Sequence, residues 1–246
     1  MIRIPFDSEP TWLAEKLNHL SASEASIPVG QNPWGDIDTL YDIKIGDREP
    51  RDISEEPQIV FGKQSEPIGR AEFSLLFPEY RMDYHGYDIL CHDKYPFISA
   101  TLDAELTYQG APRQLRSPTG YIGTLSDGDL GVWEYKTATV RCNDDLAKWD
   151  DRIPDYYFTQ VLQQLFVTRW KFNILTAKIV RFDGRYVNGE WVDNPFPTIF
   201  TNNYIFFYAD PMVRTEMVNV IQHGIRFWKC VQSRVRPDLI IKPLRF

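Results

Sequence analysis

Apolar residues recur at helical spacing near both ends of the chain and alternate with polar ones in between. Trp12, Leu13, Leu17 and Leu20 would share one side of a helix within residues 5–20. Ser21-Ala22-Ser23-Glu24 has the order of a capping box and predicts a second short helix, ended by Pro28 and Gly30. Residues 36–56 carry 8 acidic and 3 basic side chains and read as a solvated helix or loop. Ser54, Glu55, Glu56 and Pro57 supply a cap, two first-turn acids and an early proline, so a helix should run from there towards Phe77. Pro67 lies inside it, removes one backbone bond and predicts a kink. From Arg81 the period falls to two, and residues 81–91, 95–103, 105–109 and 130–138 read as strands. Residues 155–170 return to helical period, with Phe158, Val161, Leu162, Leu165 and Phe166 on one side. Residues 172–182 alternate, Asn188-Gly189 marks a hairpin turn, 204–208 is a further strand, and 211–235 is a long final helix before a basic tail. Neither an internal repeat nor a low-complexity tract interrupts the pattern. Helices, then a mixed sheet, then helices predict a single α/β domain with a central mixed β-sheet flanked by helices. Its expected parts are a helical part over 1–80, a sheet core over 81–182, and a hairpin, strand, helix and tail over 183–246.

Composition narrows the class. The chain has 246 residues, 43 % hydrophobic, enough for a substantial core and against whole-chain disorder. No apolar run reaches the length of a membrane span, and the start shows no secretory pattern. Three scattered cysteines, Cys91, Cys142 and Cys230, fit a reducing compartment and argue against a disulfide framework or a four-cysteine cluster. The expectation is a cytoplasmic protein. Cys91-His92 is a lone pair without zinc spacing. The net charge of −7 is unfavourable for a polyanion partner, but it is unevenly spread. Residues 1–111 carry 9 Lys and Arg against 20 Asp and Glu, and residues 112–246 carry 18 against 14. Local field matters more to a polyanion than the total.

The chemistry concentrates in Gly131-Val132-Trp133-Glu134-Tyr135-Lys136-Thr137. Alternate residues of a strand share a face, so Glu134 and Lys136 point one way and Tyr135 the other. Such a pair is either a cross-face ion pair or a metal ligand beside a group that positions an attacking water. Asp103 ends the apolar run that starts at Phe97, and strand ends are where sites gather in α/β sheets. Glu66 follows Gly62-Lys63-Gln64 on a helix. If the three carboxylates converge, each pair at about 5 Å repels by roughly 3 kcal/mol at an effective dielectric near 20. Protonation or a divalent cation must relieve that, and hard oxygen ligands select Mg²⁺ or Mn²⁺ over zinc. Trp34, Trp133 and Tyr135 have rings suited to stacking on bases, although Trp133 and Tyr135 share a strand face that fits core packing better.

Taken in order, these segments resemble the phage lambda exonuclease and YqaJ-type viral recombinase family of the PD-(D/E)xK nuclease class, from Trp12 to about Thr168. Trp12 and Lys16, then Ser21-Ala22-Ser23-Glu24, are similar to that family's opening helix and phosphate-binding turn. Gly30, Asn32, Pro33 and Trp34 resemble its Gly-x-(Ser/Asn)-Pro-aromatic step, and Gly62-Lys63-Gln64-Ser65-Glu66 its Gly-Lys-x-x-Glu helix. Asp103 and Glu134-Tyr135-Lys136 match the catalytic acid and Glu-x-Lys, and Gln160 with Gln164 the Gln-x-x-x-(Tyr/Gln) motif. Three departures stand out. Leu102 replaces the proline usual before the acid. Lys16 stands where an arginine is common, giving charge without a bidentate fork. Asp103 and Glu134 are 31 positions apart, where about ten is common in the family. The insertion, placed over residues 105–129, includes Arg113 and Arg116 and is either a DNA-contacting hairpin or a surface decoration.

The resemblance implies a restriction-endonuclease-like fold with two Mg²⁺ ions, Mn²⁺ being the alternative. Asp103 would bridge them, Glu134 and the Tyr135 backbone carbonyl would hold one, and Glu66 the other. Lys136 would orient and help deprotonate the attacking water, and Gln160 would buttress the site or touch the scissile nucleotide. Lys16, Ser23 and Thr101 would hold the 5′ phosphate, Ser23 from the start of a helix. The plainer readings are a helix cap for Ser23, a solvated lysine for Lys16, a surface amide for Gln160 and a strand hydroxyl for Thr101. The family further implies a 5′→3′ exonuclease acting on double-stranded DNA ends. It would leave a 3′ overhang for phage-type recombination, with a single-strand annealing protein as partner and a ring-shaped homo-oligomer. The tail residues Arg236, Lys242 and Arg245 would line a channel or meet a neighbouring subunit. The same residues also suit a PD-(D/E)xK endonuclease of restriction or repair type, and the fold alone suits a catalytically silent DNA-binding protein.

Overall fold

The structure, a computed structural model, describes residues 1–238, so Lys242 and Arg245 lie outside the described residues. The chain opens with β1 (Ile2–Pro5) and α1 (Glu9–Lys16). The first helix is shorter than its apolar spacing suggested. Pro5 ends a strand, and Leu13 and Leu17 are exposed at 48 % and 38 % rather than seated in the core. β2 (Leu20–Ser21) enters a single 3₁₀ turn, Ala22–Glu24, closed by the expected capping box. Glu24 accepts from the Ser21 backbone N–H and hydroxyl, both at 2.9 Å. Ser21 is therefore the cap, and Ser23 does not head a helix.

The acidic stretch contains α2 (Ile37–Lys44), where Asp36 accepts from the Thr39 N–H at 2.7 Å. α3 (Pro57–Leu76) follows, capped by Glu56 rather than Ser54, running through Pro67 and stopping at Phe77. The region over 1–80 thus holds two strands besides its helices. Next come β3 (Tyr80–Asp83), β4 (Asp88–Cys91), β5 (Ile98–Ala100), β6 (Ala104–Tyr108), β7 (Arg113–Arg116), β8 (Ile122–Leu125) and β9 (Leu130–Val140). Residues 81–91 are two strands belonging to two sheets, parted by the turn at Gly86. Residues 104–108 belong to the main sheet, so the insertion proper is the hairpin β7–β8 that follows. The chain continues with α4 (Asn143–Ala147), α5 (Asp155–Thr168), β10 (Phe172–Arg181), β11 (Gly184–Val187), β12 (Glu190–Asp193), β13 (Thr198–Phe207) and α6 (Pro211–Ser233). The β11–β12 turn uses Asn188 and Gly189 at φ 53° and 88°, the two positive angles a tight hairpin requires.

The principal sheet has the order β13-β10-β9-β6-β3. β9 and β10 run parallel and the other pairs antiparallel, so the sheet is mixed, as the pattern predicted. The parallel pair requires a crossover, and α5 supplies it. A second sheet, β1-β4-β5-β2, lies on the other side of α5. One face of the principal sheet presents Trp133, Tyr135, Phe172 and Ile174 to Phe73 of α3 and Leu125 of β8. The opposite face presents Leu175, Ala177 and Ile179 to α5 and α6. Being enclosed on both sides, α5 buries ten of its fourteen residues, including Gln160, Gln163 and Gln164. Buried amides need hydrogen-bond partners, and theirs define the site.

Candidate active site

β6 pairs with β9 only as far as Ala104↔Trp133. Beyond that point β9 continues for seven residues with no strand on that edge. Asp103, immediately before β6, fills the first place: its Oδ2 accepts the Tyr135 backbone N–H at 2.8 Å. The carboxylate thus substitutes for a ladder acceptor, which explains why an acid ends the apolar run. Its Oδ1 accepts no hydrogen bond from the described residues.

Glu134 points to the α5 side and is 1 % exposed. Its Oε1 accepts from Gln160 Nε2 at 2.6 Å and Lys136 Nζ at 2.5 Å, and its Oε2 accepts from Gln164 Nε2. A carboxylate buried alone would cost several kcal/mol, and these three donors offset it. Gln164 is oriented in turn by Asn173 of β10, whose Nδ2 donates to Gln164 Oε1 at 2.8 Å. Gln163 ties α5 to the second sheet, donating to the carbonyls of Leu20 in β2 and Ser99 in β5 at 2.8 and 2.9 Å.

α3 crosses the other face of β9. Gly69 lets it approach so closely that a Cβ there would stand 2.3 Å from the Tyr135 ring. Glu66 lies on this helix, and its Oε1 is paired with Arg70. Arg70 also donates to the Asp103 carbonyl at 3.3 Å and lies 3.8 Å from the centre of the Tyr84 ring. The three acids therefore share one neighbourhood. Burial, then repulsion from Glu134 and Glu66, raises the Asp103 carboxyl well above its ordinary value, against the pull of Lys136 and the Tyr135 N–H. Burial disfavours the Lys136 ammonium, but Glu134 and Asp103 outweigh it and raise its value. Burial lowers Lys16, with Lys44 and Lys136 adding and Glu24 and Asp103 opposing, so Lys16 feels the charges of the same centre.

Among the described residues no three acidic, histidine or cysteine side chains are gathered closely enough to hold an ion as they stand. The chemistry of the donor set nevertheless fits a hard cation. It offers carboxylate oxygens, of which Asp103 Oδ1 and Glu66 Oε2 accept from no donor among the described residues, in a place where negative charge is incompletely offset. Glu66 would have to exchange Arg70 for such an ion.

The other expected residues are dispersed around this centre. Thr101 is two positions from Asp103, and its carbonyl, rather than its hydroxyl, takes a 3.4 Å bond from Gln164. Ser23 is exposed, with its hydroxyl 3.1 Å from that of Ser21. Lys44 ties this turn to the end of α1, reaching Glu24 at 2.9 Å and the Lys16 carbonyl at 3.2 Å. Arg113 and Arg116 are not brought to the centre. Their hairpin springs from the opposite end of the β6–β9 pair, beside Thr107↔Leu130, and Arg113 pairs with Glu79 at 2.8 Å. The hairpin packs where Gly123 meets Phe207 and Thr119 bonds Asp210. Arg236 is bound within the chain, to Asp38 and Asp42 of α2 at 3.0 and 2.6 Å.

Sequence reasoning overlooked Arg70, Lys44 and Asn173. Asn173 left one usable signal, an amide in the otherwise apolar start of a strand, Phe172-Asn173-Ile174-Leu175.

Residues 11–171, close to the extent of the resemblance, match the family described as the YqaJ-like viral recombinase domain. The chain belongs to that family. A YqaJ relative, an uncharacterized protein of Bacillus subtilis (strain 168), is 27 % identical over 161 residues, 65 % of this chain. The chain spans only 42 % of that relative's length. Among solved structures, an alkaline exonuclease from Laribacter hongkongensis superimposes with a TM-score of 0.54 at 12 % identity, over 92 % of this chain and 93 % of that one. The complex of that enzyme with dAMP gives 0.51 at 14 % identity over the same shares. At these identities the likeness establishes a shared fold, the mixed α/β architecture of these alkaline exonucleases. Among the described residues no helix is long and apolar enough to cross a membrane.

Proposed function

We propose that the chain is a divalent-metal-dependent exodeoxyribonuclease. On this reading it digests linear duplex DNA, 5′→3′, and leaves a 3′ single strand for recombination by annealing. The observation that carries it is the meeting of Asp103, Glu134 and Lys136 at the unpaired edge of β9, with Glu66 in the same field, in a chain of this family. Asp103, Glu134, Glu66 and the Tyr135 carbonyl would hold Mg²⁺ or Mn²⁺. A divalent metal bound there supplies an activated water and offsets charge on the phosphate oxygens. Lys136, kept protonated by the two carboxylates, orients the attacking water by donation. Gln160 and Gln164 fix the Glu134 carboxylate, and the enclosed α5 face keeps bulk water from it. Lys16 supplies positive charge for a terminal phosphate, beside the turn that bears Ser23. A single-strand annealing partner and a ring of subunits accompany this reading through the family alone.

The test uses end-labelled linear duplex, with and without a 5′ phosphate, beside covalently closed circles, in Mg²⁺. Expected are digestion of the linear DNA, shortening of the 5′-ended strand and survival of the circle. Asp103→Ala and Lys136→Ala should abolish digestion while their circular dichroism and melting remain those of a folded chain. Digestion of circles would identify an endonuclease. Undiminished activity in either variant would refute the assigned centre.

A further inference from the structure

Trp34 is 73 % exposed, unusual for so large an apolar ring, yet its position is tightly fixed. The Asn32 Oδ1 accepts the backbone N–H groups of both Trp34 and Gly35 at 2.8 Å. Asn32 is itself anchored to the Ser26 hydroxyl at 2.8 Å, and Ser26 is buried. The indole meets Tyr156 edge-on, with ring centres 4.8 Å apart at 74°. That contact braces the ring on one side and leaves most of its surface exposed. Tyr156 in turn meets Tyr157 at 4.4 Å, and Lys136 Nζ lies 5.3 Å from the centre of the Tyr157 ring. A continuous aromatic path thus joins this exposed indole to the ammonium of the catalytic centre. Its three steps are together comparable with about four nucleotides of duplex at roughly 3.4 Å each.

Burial in a core does not explain this ring, and mobility does not either, because the turn beneath it is pinned by two backbone bonds. A rigid, exposed aromatic ring beside a phosphodiester site suits a nucleobase that has left its pair, since every base has a π-face and a stacked partner binds without sequence preference. We propose that Trp34 is a base-stacking platform. It would hold one unpaired base of the DNA within about four nucleotides of the scissile phosphate. This rests on the nuclease reading above and adds the chemical class of group recognised and the residue that recognises it.

The test has two arms. In the Asp103→Ala background, equilibrium binding of a fluorescent duplex end with a terminal mismatch is compared for Trp34, Trp34→Ala and Trp34→Phe. Alanine should weaken binding by about 5- to 150-fold, the range of base–aromatic stacking, and phenylalanine should restore much of it. In the otherwise intact chain, single-turnover digestion is followed on duplexes carrying one base-free nucleotide at successive positions from the end. Digestion should slow at one position in the first few, and Trp34→Ala should erase that dip. The inference is overturned if alanine binds as tightly as tryptophan. It is equally overturned if the base-free scan is flat in the intact chain, or if phenylalanine fails to rescue while melting falls for both variants, the mark of a bracing role only. The reading beneath it fails separately, through persistent digestion by Asp103→Ala. Loss of digestion in that variant with a flat scan sinks the stacking platform alone.

Discussion

Glu134 is accommodated at 1 % exposure because three donors converge on its two oxygens, and one of those donors is aimed by a residue that touches no acid. An amide can present either its N–H₂ or its oxygen. Asn173 donates to Gln164 Oε1, so the other end of Gln164 must face the carboxylate. Asn173 is fully buried, and its own Oδ1 has no partner among the described residues. Replacing it removes that unsatisfied acceptor but leaves Gln164 Oε1 without its donor, so the two effects oppose each other and the net change in stability should be small. The aim of Gln164 should suffer more. Asn173→Leu is expected to melt within a few degrees of the parent while losing about 10- to 100-fold in activity, the usual scale for residues that orient a metal ligand. Gln164→Leu leaves Glu134 Oε2 without its donor and should lose activity and about 1–3 kcal/mol of stability together. Thermal scans beside saturating-metal rates separate the two; equal loss of stability in both variants would show that Asn173 is merely structural.

At the scale of elements, the site depends on how α3 lies across β9. Two glycines on that helix make opposite predictions. A Cβ at Gly69 would collide with the Tyr135 ring, whereas one at Gly62 would sit 3.7 Å from the Thr137 hydroxyl, an ordinary contact. Gly69→Ala should destabilise by about 1–3 kcal/mol through overpacking. Gly62→Ala should be neutral or stabilise by up to about 1 kcal/mol, because alanine costs less backbone entropy in a helix. Urea unfolding distinguishes them, and equal shifts would mean that the helix does not approach the strand as described. Such close packing explains what was legible beforehand. β9, α5, β10 and α6 were readable because each buries a long face whose period survives in the sequence. The Glu-x-Lys pair was readable because it interrupts such a face. The opening was misread, since Leu13 on α1 and Leu17 just after it are in fact exposed, and Pro5 belongs to a strand. The split between β3 and β4 was invisible because alternation continues through a turn that sends the chain into another sheet. Arg70 and Lys44 left no local signal either. Their roles arise from contacts with residues distant in the chain, the Asp103 carbonyl and the Lys16 carbonyl.

For the whole molecule the question is how a chain of net charge −7 would bind a polyanion. Most of the excess acid lies in residues 1–111, the part that also supplies Lys16, Lys44 and Arg70. Of these, Lys44 is committed to Glu24 and Arg70 to Glu66, while Lys16 makes no ion pair among the described residues and rests 4.3 Å from the centre of the Trp12 ring. A protein that neutralises Z phosphates loses affinity with salt at a logarithmic slope of about −0.9Z. Few uncommitted cations near the centre imply few neutralised phosphates. The affinity of the Asp103→Ala chain for a duplex end should therefore fall with salt at a slope no steeper than about −4. Lys16→Ala should make it shallower by about one unit, as expected for the loss of one phosphate contact. Arg113→Ala and Arg116→Ala, on the hairpin at the other end of the β6–β9 pair, should leave the slope unchanged. A slope near −10 that falls on removing either arginine would mean that the duplex runs across the hairpin, and that the binding surface is far larger than the neighbourhood of β9.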